Sequence, residues 1–393
     1  MKYYIVIIPI IFLISCINKK DKEIDESKNS VKEIIIEPNY DQKLPYDSLI
    51  KSVKLIPLET TNNCLIQNPF KVVIKNDLIF VQNFLDNLLE FDINGKFIKK
   101  IGNQGKGPYE YTSVYDFDID NDMNIYICDG MQILIFNNSG DPIKNIKLDV
   151  KKDGIKIYPQ QFAVAQSGGY YLWAMSGPGQ SEKKVCFFNH IDKDQKIVNE
   201  LFPIKKVESS NPYRFQRFGD HTNIVPHFGI YTIYAVSENG ITANYHLNFG
   251  ERTLKDQIPE WEDFKKFRQE VSRKKYVTRI NSFIESDSWV YFQFIYLNYC
   301  YNAFYSKILN RTFVNLPKIT DPLNKSLLKI DGEWEGKMVA IVEPSYLLQK
   351  LKLMKKEKWQ KKLSKTDSQL MKQIEKIKLT DNPVLLVYEM KRY

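Results

Sequence analysis

Acidic side chains alternate along one short stretch of the chain and could coordinate a metal ion. Between residues 116 and 124 every second residue is Asp or Asn. Counted from Asp118, the next two carboxylates match the early positions of a calcium-binding loop, and Asp129 falls at the twelfth. Met123, however, stands where the sharp turn of such a loop requires glycine. The stretch therefore favours a polar strand face followed by a turn over a calcium site.

A glycine-rich stretch, GNQGKGP at residues 102–108, has some features of a phosphate-binding loop. Such a loop requires Gly-Lys followed by Ser or Thr at the start of a helix. Here Pro108 follows instead, and the next residues, Tyr109, Glu110 and Tyr111, begin no helical pattern. The glycines indicate a tight turn in which Glu110 accepts backbone hydrogen bonds. Contact of Glu110 with a ligand is the alternative.

The histidines and serines lack the spacing of a catalytic or metal-binding motif. His221, His227 and His246 are separated by 6 and 19 positions, with no paired carboxylate motif. The segment AMSG around Ser176 lacks the first glycine of a nucleophile elbow. We therefore assign no catalytic residue and expect neither a metal nor another cofactor. Carboxylates that meet across separate elements stay possible, because sequence spacing does not reveal them.

Two groups of aromatic residues are the best candidates for a ligand site. Tyr170, Tyr171 and Trp173 precede the turn SGPGQ, and the group YRFQRF spans residues 213–218. Aromatic rings beside arginine suit sugars or peptides, whereas packing in a hydrophobic core is the alternative. The residues that we expect to bind a ligand are Glu110, Tyr111, Trp173, Tyr213, Arg214 and Arg217.

The elements that would position these residues repeat with a fixed period. Residues 77–101 and 123–148 both read as a strand, a polar turn, a strand ending in Phe, a turn with Gly and a third strand. Four pairs of residues share an offset of 45 positions: Phe91 and Phe136, Gly95 and Gly140, Phe117 and Phe162, and Tyr126 and Tyr171. This period is typical of a β-propeller blade, and the chain has room for about six or seven blades. A β-sandwich of hairpins is the alternative, but it does not predict the register.

Two segments break the strand pattern and predict helical insertions near residues 259–277 and 344–378. The first has an apolar stripe with helical spacing: Trp261, Phe264, Phe267 and Val271. The second has two such stripes: Leu347, Leu351 and Met354, then Leu370, Ile374 and Ile377. We expect two short helices there, about 345–363 and 367–378, with their lysines in solvent.

The N-terminal residues are typical of a lipoprotein signal peptide. Lys2 precedes an apolar run of 12 residues, which is too short to span a bilayer. The residues before Cys16 resemble a bacterial lipobox, and the Cys16 thiol would receive the lipid. An ordinary secretory signal or a short anchor is the alternative. We predict a signal peptide over residues 1–15 and a lipidated flexible tether over 16–43, because the segment 18–33 is polar and lacks aromatic residues.

Most of the net charge of +9 is concentrated in one segment of the chain. Between residues 349 and 378 there are 11 lysines and 3 acidic residues. Export argues against nucleic acid as a partner, so we expect a solvated helical face, or a surface that meets anionic lipid or acidic glycan. The four cysteines besides Cys16 are scattered and form no Cys-x-x-Cys motif, which predicts free, mostly buried thiols.

Several stretches carry a resemblance to a known family: VKLIPLETT (53–61), GKFIKKIGNQGKGPYEY (95–111), IYTIYAVSENG and NYHLNFG in the middle of the chain, and DNPVLLVYEMK (381–391). With them the chain resembles the six-bladed β-propeller lipoproteins of the bacterial envelope, which are related to NHL-repeat propellers. The resemblance spans residues 53–391. It implies an all-β fold of six blades over residues 44–393 and an envelope location. It implies no settled activity, so no catalytic residues are carried over.

These observations lead to one functional hypothesis and two alternatives. We expect a lipoprotein of the cell envelope, anchored in the outer membrane by its N-terminal lipid and facing the periplasm or the surface. Its propeller would bind a protein, peptide or glycan. The alternatives are a hydrolase or lyase with a site in the central channel, and a structural subunit of an envelope complex. The oligomeric state stays open.

Overall fold

The computed structural model shows a ring of six antiparallel sheets. The β-propeller predicted from the 45-residue period is therefore confirmed, with the six blades that the family resemblance implies. The described residues are 31–37, 49–83, 86–175, 185–204, 214–226, 228–254, 269, 271, 273–315, 329–355 and 365–392. None of the helices within these ranges is long and apolar enough to cross a bilayer.

Two strands precede the first three blades in the chain. These are β1 (Lys32–Ile35) and β2 (Ile50–Pro57). Blade 1 consists of β3 (Pro69–Lys75), β4 (Leu78–Asn83), β5 (Asn87–Asp92) and β6 (Phe97–Ile101). After the short strands β7 (Asn103–Gln104) and β8 (Glu110–Tyr111), blade 2 consists of β9 (Asp116–Ile119), β10 (Ile125–Cys128), β11 (Gln132–Phe136) and β12 (Pro142–Lys147). After the hairpin of β13 (Lys151–Lys152) and β14 (Ile155–Lys156), blade 3 consists of β15 (Pro159–Val164), β16 (Tyr170–Ala174), β17 (Cys186–Ile191) and β18 (Ile197–Pro203).

The second half of the ring repeats the same meander. Blade 4 consists of β19 (Phe215–Phe218), β20 (His221–Ile224), β21 (Thr232–Ser237) and β22 (Gly240–Asn248), and a 3-10 turn (Gly250–Arg252) follows it. Blade 5 consists of β23 (Val277–Glu285), β24 (Trp289–Tyr296), β25 (Tyr299–Ser306) and β26 (Arg311–Asn315). Blade 6 consists of β27 (Gly332–Trp334), β28 (Lys337–Val342) and β29 (Val384–Met390), and β2 completes it as the outer strand.

Ring closure joins β2, which precedes blade 1, and β29, the last strand, in one blade. In blade 6, β2 pairs with β29, with Val53 opposite Tyr388 and Leu55 opposite Leu386. Closure in this way hides strand edges that would otherwise be exposed.

The 45-residue period is the blade repeat itself. Phe91 and Phe136 lie in the third strands of blades 1 and 2, and both are buried. The turns after these strands place Gly95 and Gly140 at φ +85° and +88°. At Gly95 a Cβ atom would lie 2.1 Å from the carbonyl oxygen of Pro57, so only glycine fits there.

Of the tether predicted over residues 16–43, the structure describes residues 31–37, and these contain the strand β1. The other residues of that span lie outside the described residues. β1 pairs in parallel with β22 and adds a fifth strand to blade 4. Ile34 and Ile36 are buried in the hydrophobic cluster between blades 4 and 5. Two alternating isoleucines supply enough apolar surface to dock this short piece. The polar composition of residues 18–33 does not reveal them.

Two helices interrupt blade 6 between β28 and β29. They are α1 (Pro344–Met354) and α2 (Lys365–Ile374). Leu347 and Leu351 of α1 are buried, as is Ile374 of α2, in the cluster between blades 5 and 6. The described side chains of the predicted apolar stripes therefore pack on the propeller. Most of the other predicted insertion lies outside the described residues, but Val271 is buried against blades 4 and 5.

Five hydrophobic clusters fill the seams between adjacent blades. The cysteines Cys64, Cys128 and Cys186 are buried and Cys300 is half-buried, and all four are free thiols, as predicted. The antiparallel meander gives the ring two distinct faces. The turn face carries the turns after the first and third strand of each blade. The loop face carries the connections between blades and the loops after each second strand.

Candidate functional site

The alternating carboxylates bind neighbouring blades to one another. Asp116 and Asp118 lie on the innermost strand of blade 2. They accept the backbone N–H groups of Phe162 (2.9 Å) and Val164 (2.8 Å) from blade 3. Lys71 of blade 1 donates its Nζ to Asp116 Oδ1 at 2.8 Å. Burial raises the pKa of Asp116, and the Lys71 ammonium opposes that shift. These side chains therefore hold three blades in register.

The end of the same acidic run caps a turn. Asp120 Oδ1 accepts the backbone N–H groups of Asp122 (2.9 Å) and Asn124 (2.8 Å). Asp120 Oδ2 accepts the Tyr126 hydroxyl at 2.9 Å. Met123 has φ +64°, at the position where a calcium loop would use glycine. Among the residues that the structure describes, no group of three or more His, Cys, Asp or Glu is placed to hold a metal ion.

Arg217 extends the polar connections across the central channel. From the innermost strand of blade 4 its Nη2 donates to Asp118 Oδ2 (3.1 Å) and to the carbonyl oxygen of Val164 (2.8 Å). Lys75 reaches from blade 1 to the carbonyl oxygen of Asp120 at 2.8 Å. Burial, followed by the positive charge of Arg217, lowers the pKa of Lys75. Arg217, predicted as a ligand contact, therefore links blades 2, 3 and 4.

Tyr111, predicted to face a ligand, is part of the core. Its side chain is fully buried between blades 1 and 2, and its hydroxyl donates to the carbonyl oxygen of Ile101 at 3.3 Å. The neighbouring Glu110 accepts the backbone N–H of Gly107 at 2.7 Å. Glu110 thus has the backbone-binding role expected for the turn. No part of the Tyr111 ring is accessible, and its contact with a ligand stays a prediction.

Trp173 and Arg214 also pack internally. Trp173 is 2% exposed and stacks on Phe187 with ring centroids 5.4 Å apart. The Arg214 guanidinium lies 4.2 Å from the Trp173 ring centroid and donates to the carbonyl oxygen of Pro226 at 2.7 Å. The predicted aromatic and arginine group therefore stabilises blade 3 and its neighbour instead of facing solvent. Tyr213 and Cys16 lie outside the described residues.

A buried carboxylate that the sequence motifs do not reveal joins blades 4 and 5 at the turn face. Glu285 ends the innermost strand of blade 5 and is 3% exposed. It accepts hydrogen bonds from Tyr245 Oη (2.5 Å), Lys307 Nζ (2.7 Å) and Asn223 Nδ2 (2.8 Å). His221 Nε2 lies 3.5 Å from Glu285 Oε2. The carboxylate is thus surrounded by donors from both blades.

These donors decide the charge state of the cluster. Burial alone would raise the pKa of Glu285, but the hydrogen bonds from its four neighbours lower it to about 2. The hydrogen bond to Glu285 raises the pKa of His221 in turn, against the opposing effect of burial. Glu285 is therefore a fixed anion whose oxygens are already occupied. His246 pairs with Thr232 Oγ1 at 3.1 Å. His227, the third histidine considered in the sequence, lies outside the described residues.

Exposed apolar side chains concentrate on the loop face. Among the described residues, 13 large hydrophobic side chains are exposed, and seven of them lie on this face: Leu65, Tyr109, Met131, Tyr158, Met175, Tyr299 and Leu379. Four of the remaining six lie on outer strands, and two lie in one turn of blade 5. We name four of these seven side chains the apolar row: Tyr109, Met131, Tyr158 and Met175. Within it, the Met175 N–H donates to the Tyr158 carbonyl oxygen at 2.8 Å.

Hydrogen bonds from side chains of blade 2 hold the loop that carries Tyr109 in place. Asn145 donates to the carbonyl oxygen of Pro108 and to Gln132 Oε1 (2.9 Å). Gln132 in turn donates to the carbonyl oxygen of Glu110 at 3.0 Å. Tyr109 at the tip is 42% exposed. The arrangement therefore presents an aromatic ring to solvent on a rigid support, which reduces the entropy lost on binding.

Three solved structures show what this fold is similar to. A candidate exported protein of Bacteroides fragilis NCTC 9343 matches with a TM-score of 0.72 and 18% identity, over 92% of this chain and 100% of that chain. A protein of unknown function from Bacteroides caccae matches with a TM-score of 0.37 and 11% identity, over 57% of this chain and 69% of that chain. A gluconolactonase of Xanthomonas campestris matches with a TM-score of 0.40 and 9% identity, over 70% of this chain and 83% of that chain. The first likeness shows the fold, whereas the other two are too distant to carry an argument.

The sequence comparisons identify the family. Among curated proteins, none matches the chain significantly. The profile of the family described as a domain of unknown function, DUF4934, matches residues 31–389. The match begins just before β1 and ends within β29, so it takes in the whole ring. This chain therefore belongs to the DUF4934 family.

Proposed function

We propose that this chain is a lipid-anchored protein of the bacterial envelope whose loop face binds a protein or peptide partner. The apolar row on blades 2 and 3 carries the proposal. Soluble proteins seldom expose neighbouring large apolar side chains unless a partner covers them. Tyr and Met are both enriched in protein interfaces, and the flexible Met side chain adapts to irregular surfaces. The row offers both residue types on fixed loops.

The polar groups near the row favour a protein over a glycan. A glycan site needs free donors and acceptors that bind hydroxyl groups. Here Glu110 accepts the Gly107 N–H, and Gln132 and Asn145 are used to support the loop. Lys156 lies over the Tyr158 ring at 5.4 Å. The exposed side chains of the row itself are aromatic and thioether.

The double substitution Met131→Asp with Tyr158→Asp tests this surface. It places two charges where a partner would bury apolar groups, so partner affinity should fall by about tenfold or more. The partner is first captured from envelopes by cross-linking to the full chain, and its affinity for each purified variant is then measured by titration calorimetry.

The matched control for that experiment is Ile143→Asp, on the outer strand of blade 2. Ile143 is 50% exposed and lies away from the loop face. It should leave both partner affinity and thermal unfolding unchanged. Equal affinity of the double variant and the parent would refute the loop-face proposal. Binding of purified glycans in place of proteins would also overturn it.

Membrane anchoring rests on the segment before β1. The lipobox-like residues before Cys16 and the resemblance to envelope lipoproteins support lipid attachment. The B. fragilis protein of the same fold, a candidate exported protein, is consistent with export. Two or three acyl chains, at about 0.8 kcal/mol per buried CH2, hold a protein on a membrane firmly.

Cys16→Ala should abolish lipid attachment, because no other residue can accept the diacylglycerol. Incorporation of labelled palmitate should be lost, and the protein should appear as an unprocessed precursor. Cys300→Ala is the control and should be labelled like the parent. Normal labelling and processing of the Cys16 variant would show that the chain is not a lipoprotein.

A further inference from the structure

The turn that follows the third strand of blade 5 differs from its equivalents in the other blades. In blades 1 to 4 these turns have polar tips, formed by the pairs NG (94–95), SG (139–140), DQ (194–195) and EN (238–239). In blade 5 the tip consists of Ile308 and Leu309, which are 54% and 45% exposed. Two adjacent large apolar side chains therefore project from the turn face at one place.

Hydrogen bonds hold this blade 5 turn, residues 306–311, in one conformation. The Leu309 N–H donates to Ser306 Oγ at 3.1 Å. On the other side of the tip, the Tyr305 hydroxyl donates to Asn310 Oδ1 at 2.6 Å. The apolar tip is thus presented on a fixed support, so little conformational entropy is lost when it enters another phase.

The N-terminal segment enters the ring beside this turn. β1 is parallel to β22, which runs from the turn face to the loop face, so the chain reaches β1 from the side of the turn face. The Thr312 hydroxyl, directly after the blade 5 turn, donates to the Ile35 carbonyl oxygen at 2.8 Å. Lys32, three residues earlier, has its Nζ 5.9 Å from the ring centroid of Tyr305. The end of β1 that leads back to Cys16 therefore lies next to the blade 5 turn.

Only a short piece of chain separates this point from the proposed lipid. Residues 17–31 number 15, and a flexible tether of that length spans on average about 20 Å. A lipid on Cys16 would therefore hold the adjoining turn face close to a bilayer. Neighbouring turns of this face carry the exposed carboxylates Asp220, Glu238 and Asp287, which disfavour anionic headgroups.

We propose that the blade 5 turn inserts Ile308 and Leu309 into the interface of a zwitterionic phospholipid bilayer. This proposal rests on the lipid anchor of the proposed function and gives the ring an orientation. The turn face meets the bilayer, and the apolar row on the loop face points away from it, towards an approaching partner. Removal of the two apolar side chains from water favours docking, and the acyl chains supply the rest of the affinity.

Docking is measured by fluorescence on a chain in which a hexahistidine tag replaces residues 1–16 and binds a nickel-chelating lipid in phosphatidylcholine vesicles. The tag supplies the attachment whether or not Cys16 is lipidated, so a failure of the lipid anchor is told apart from a failure of docking. Leu309→Trp adds an indole at the tip, and bromine atoms on the acyl chains quench an indole that enters the bilayer. Its added fluorescence should be quenched about threefold more strongly than that of Met131→Trp on the loop face, since inserted groups reach roughly 5–10 Å into the boundary of headgroups and acyl chains.

Ile308→Asp in the Leu309→Trp background should lower the quenching to the level of Met131→Trp, because an isolated charge is costly in hydrocarbon. Ile143→Asp in the same background is the control and should leave the quenching unchanged, because Ile143 lies on the outer strand of blade 2. Raised salt should also leave it unchanged, since an apolar contact is not screened. Three results would each overturn the proposal: equal quenching of Leu309→Trp and Met131→Trp, no effect of Ile308→Asp, or quenching that disappears at high salt.

Discussion

Glu285→Ala is expected to lower the free energy of unfolding by about 3–5 kcal/mol, the range for removing one member of a buried charged network. Three donors within 2.8 Å of this carboxylate would lose their acceptor. Two of them, Tyr245 and Asn223, belong to blade 4, so the seam between blades 4 and 5 loosens. Chemical denaturation followed by tryptophan fluorescence measures the change.

The loss of stability caused by Glu285→Ala should depend on pH in a defined direction. Glu285 has its folded-state pKa lowered to about 2 from 4.5, so its stabilisation is complete above pH 4.5 and disappears as the pH falls towards 2. His221 has its folded-state pKa raised above 6.5. Its stabilisation is therefore present below pH 6.5 and is lost as the pH rises through the folded-state value. The difference between parent and variant should be largest between about pH 4.5 and 6.5.

The control for this experiment is Glu238→Ala, because Glu238 is exposed in the turn after the third strand of blade 4. It should change stability by less than about 0.5 kcal/mol at every pH. A Glu285 variant as stable as this control would mean that the donors find other acceptors or water. The idea of a carboxylate that holds the seam would then be abandoned.

The sequence predicts the ring well because the residues that repeat are those that the packing of each blade requires. Gly95 and Gly140 occur 45 positions apart because the same turn, with positive φ, recurs in consecutive blades. Phe91 and Phe136 recur because each third strand buries one ring. Pairing of β2 with β29 follows, since a ring must hide its last strand edge. Such patterns are local, and a single sequence shows them.

The candidate site is less predictable because exposure is not a property of residue type. Tyr109 and Tyr111 are two positions apart, yet the first is 42% exposed and the second is fully buried. The alternation of a short strand, β8, places them on opposite sides. Trp173 suggested a ligand because it is large and near arginine, but those features also suit a core. Glu285 has no motif at all, since its partners come from residues 22 to 64 positions away.

Ile34→Ala is expected to destabilise the protein by about 2–5 kcal/mol, the usual cost of truncating a fully buried isoleucine. Ile34 is 0% exposed in the cluster between blades 4 and 5, and β1 contributes few other buried side chains. The neighbouring Ile35 is 61% exposed and provides a control on the same strand. Ile35→Ala should be within about 0.5 kcal/mol of the parent.

The pair of variants also decides where the polar N-terminal segment joins the ring. β1 covers the outer edge of β22, and Thr312 of blade 5 donates its hydroxyl to the Ile35 carbonyl oxygen at 2.8 Å. Because this docking depends on Ile34, Ile34→Ala should expose the segment before β2 to limited proteolysis, whereas Ile35→Ala should not. Equal stability and equal cleavage of the two variants would mean that β1 is detached. The tether would then extend to β2, as the composition of the segment first suggests.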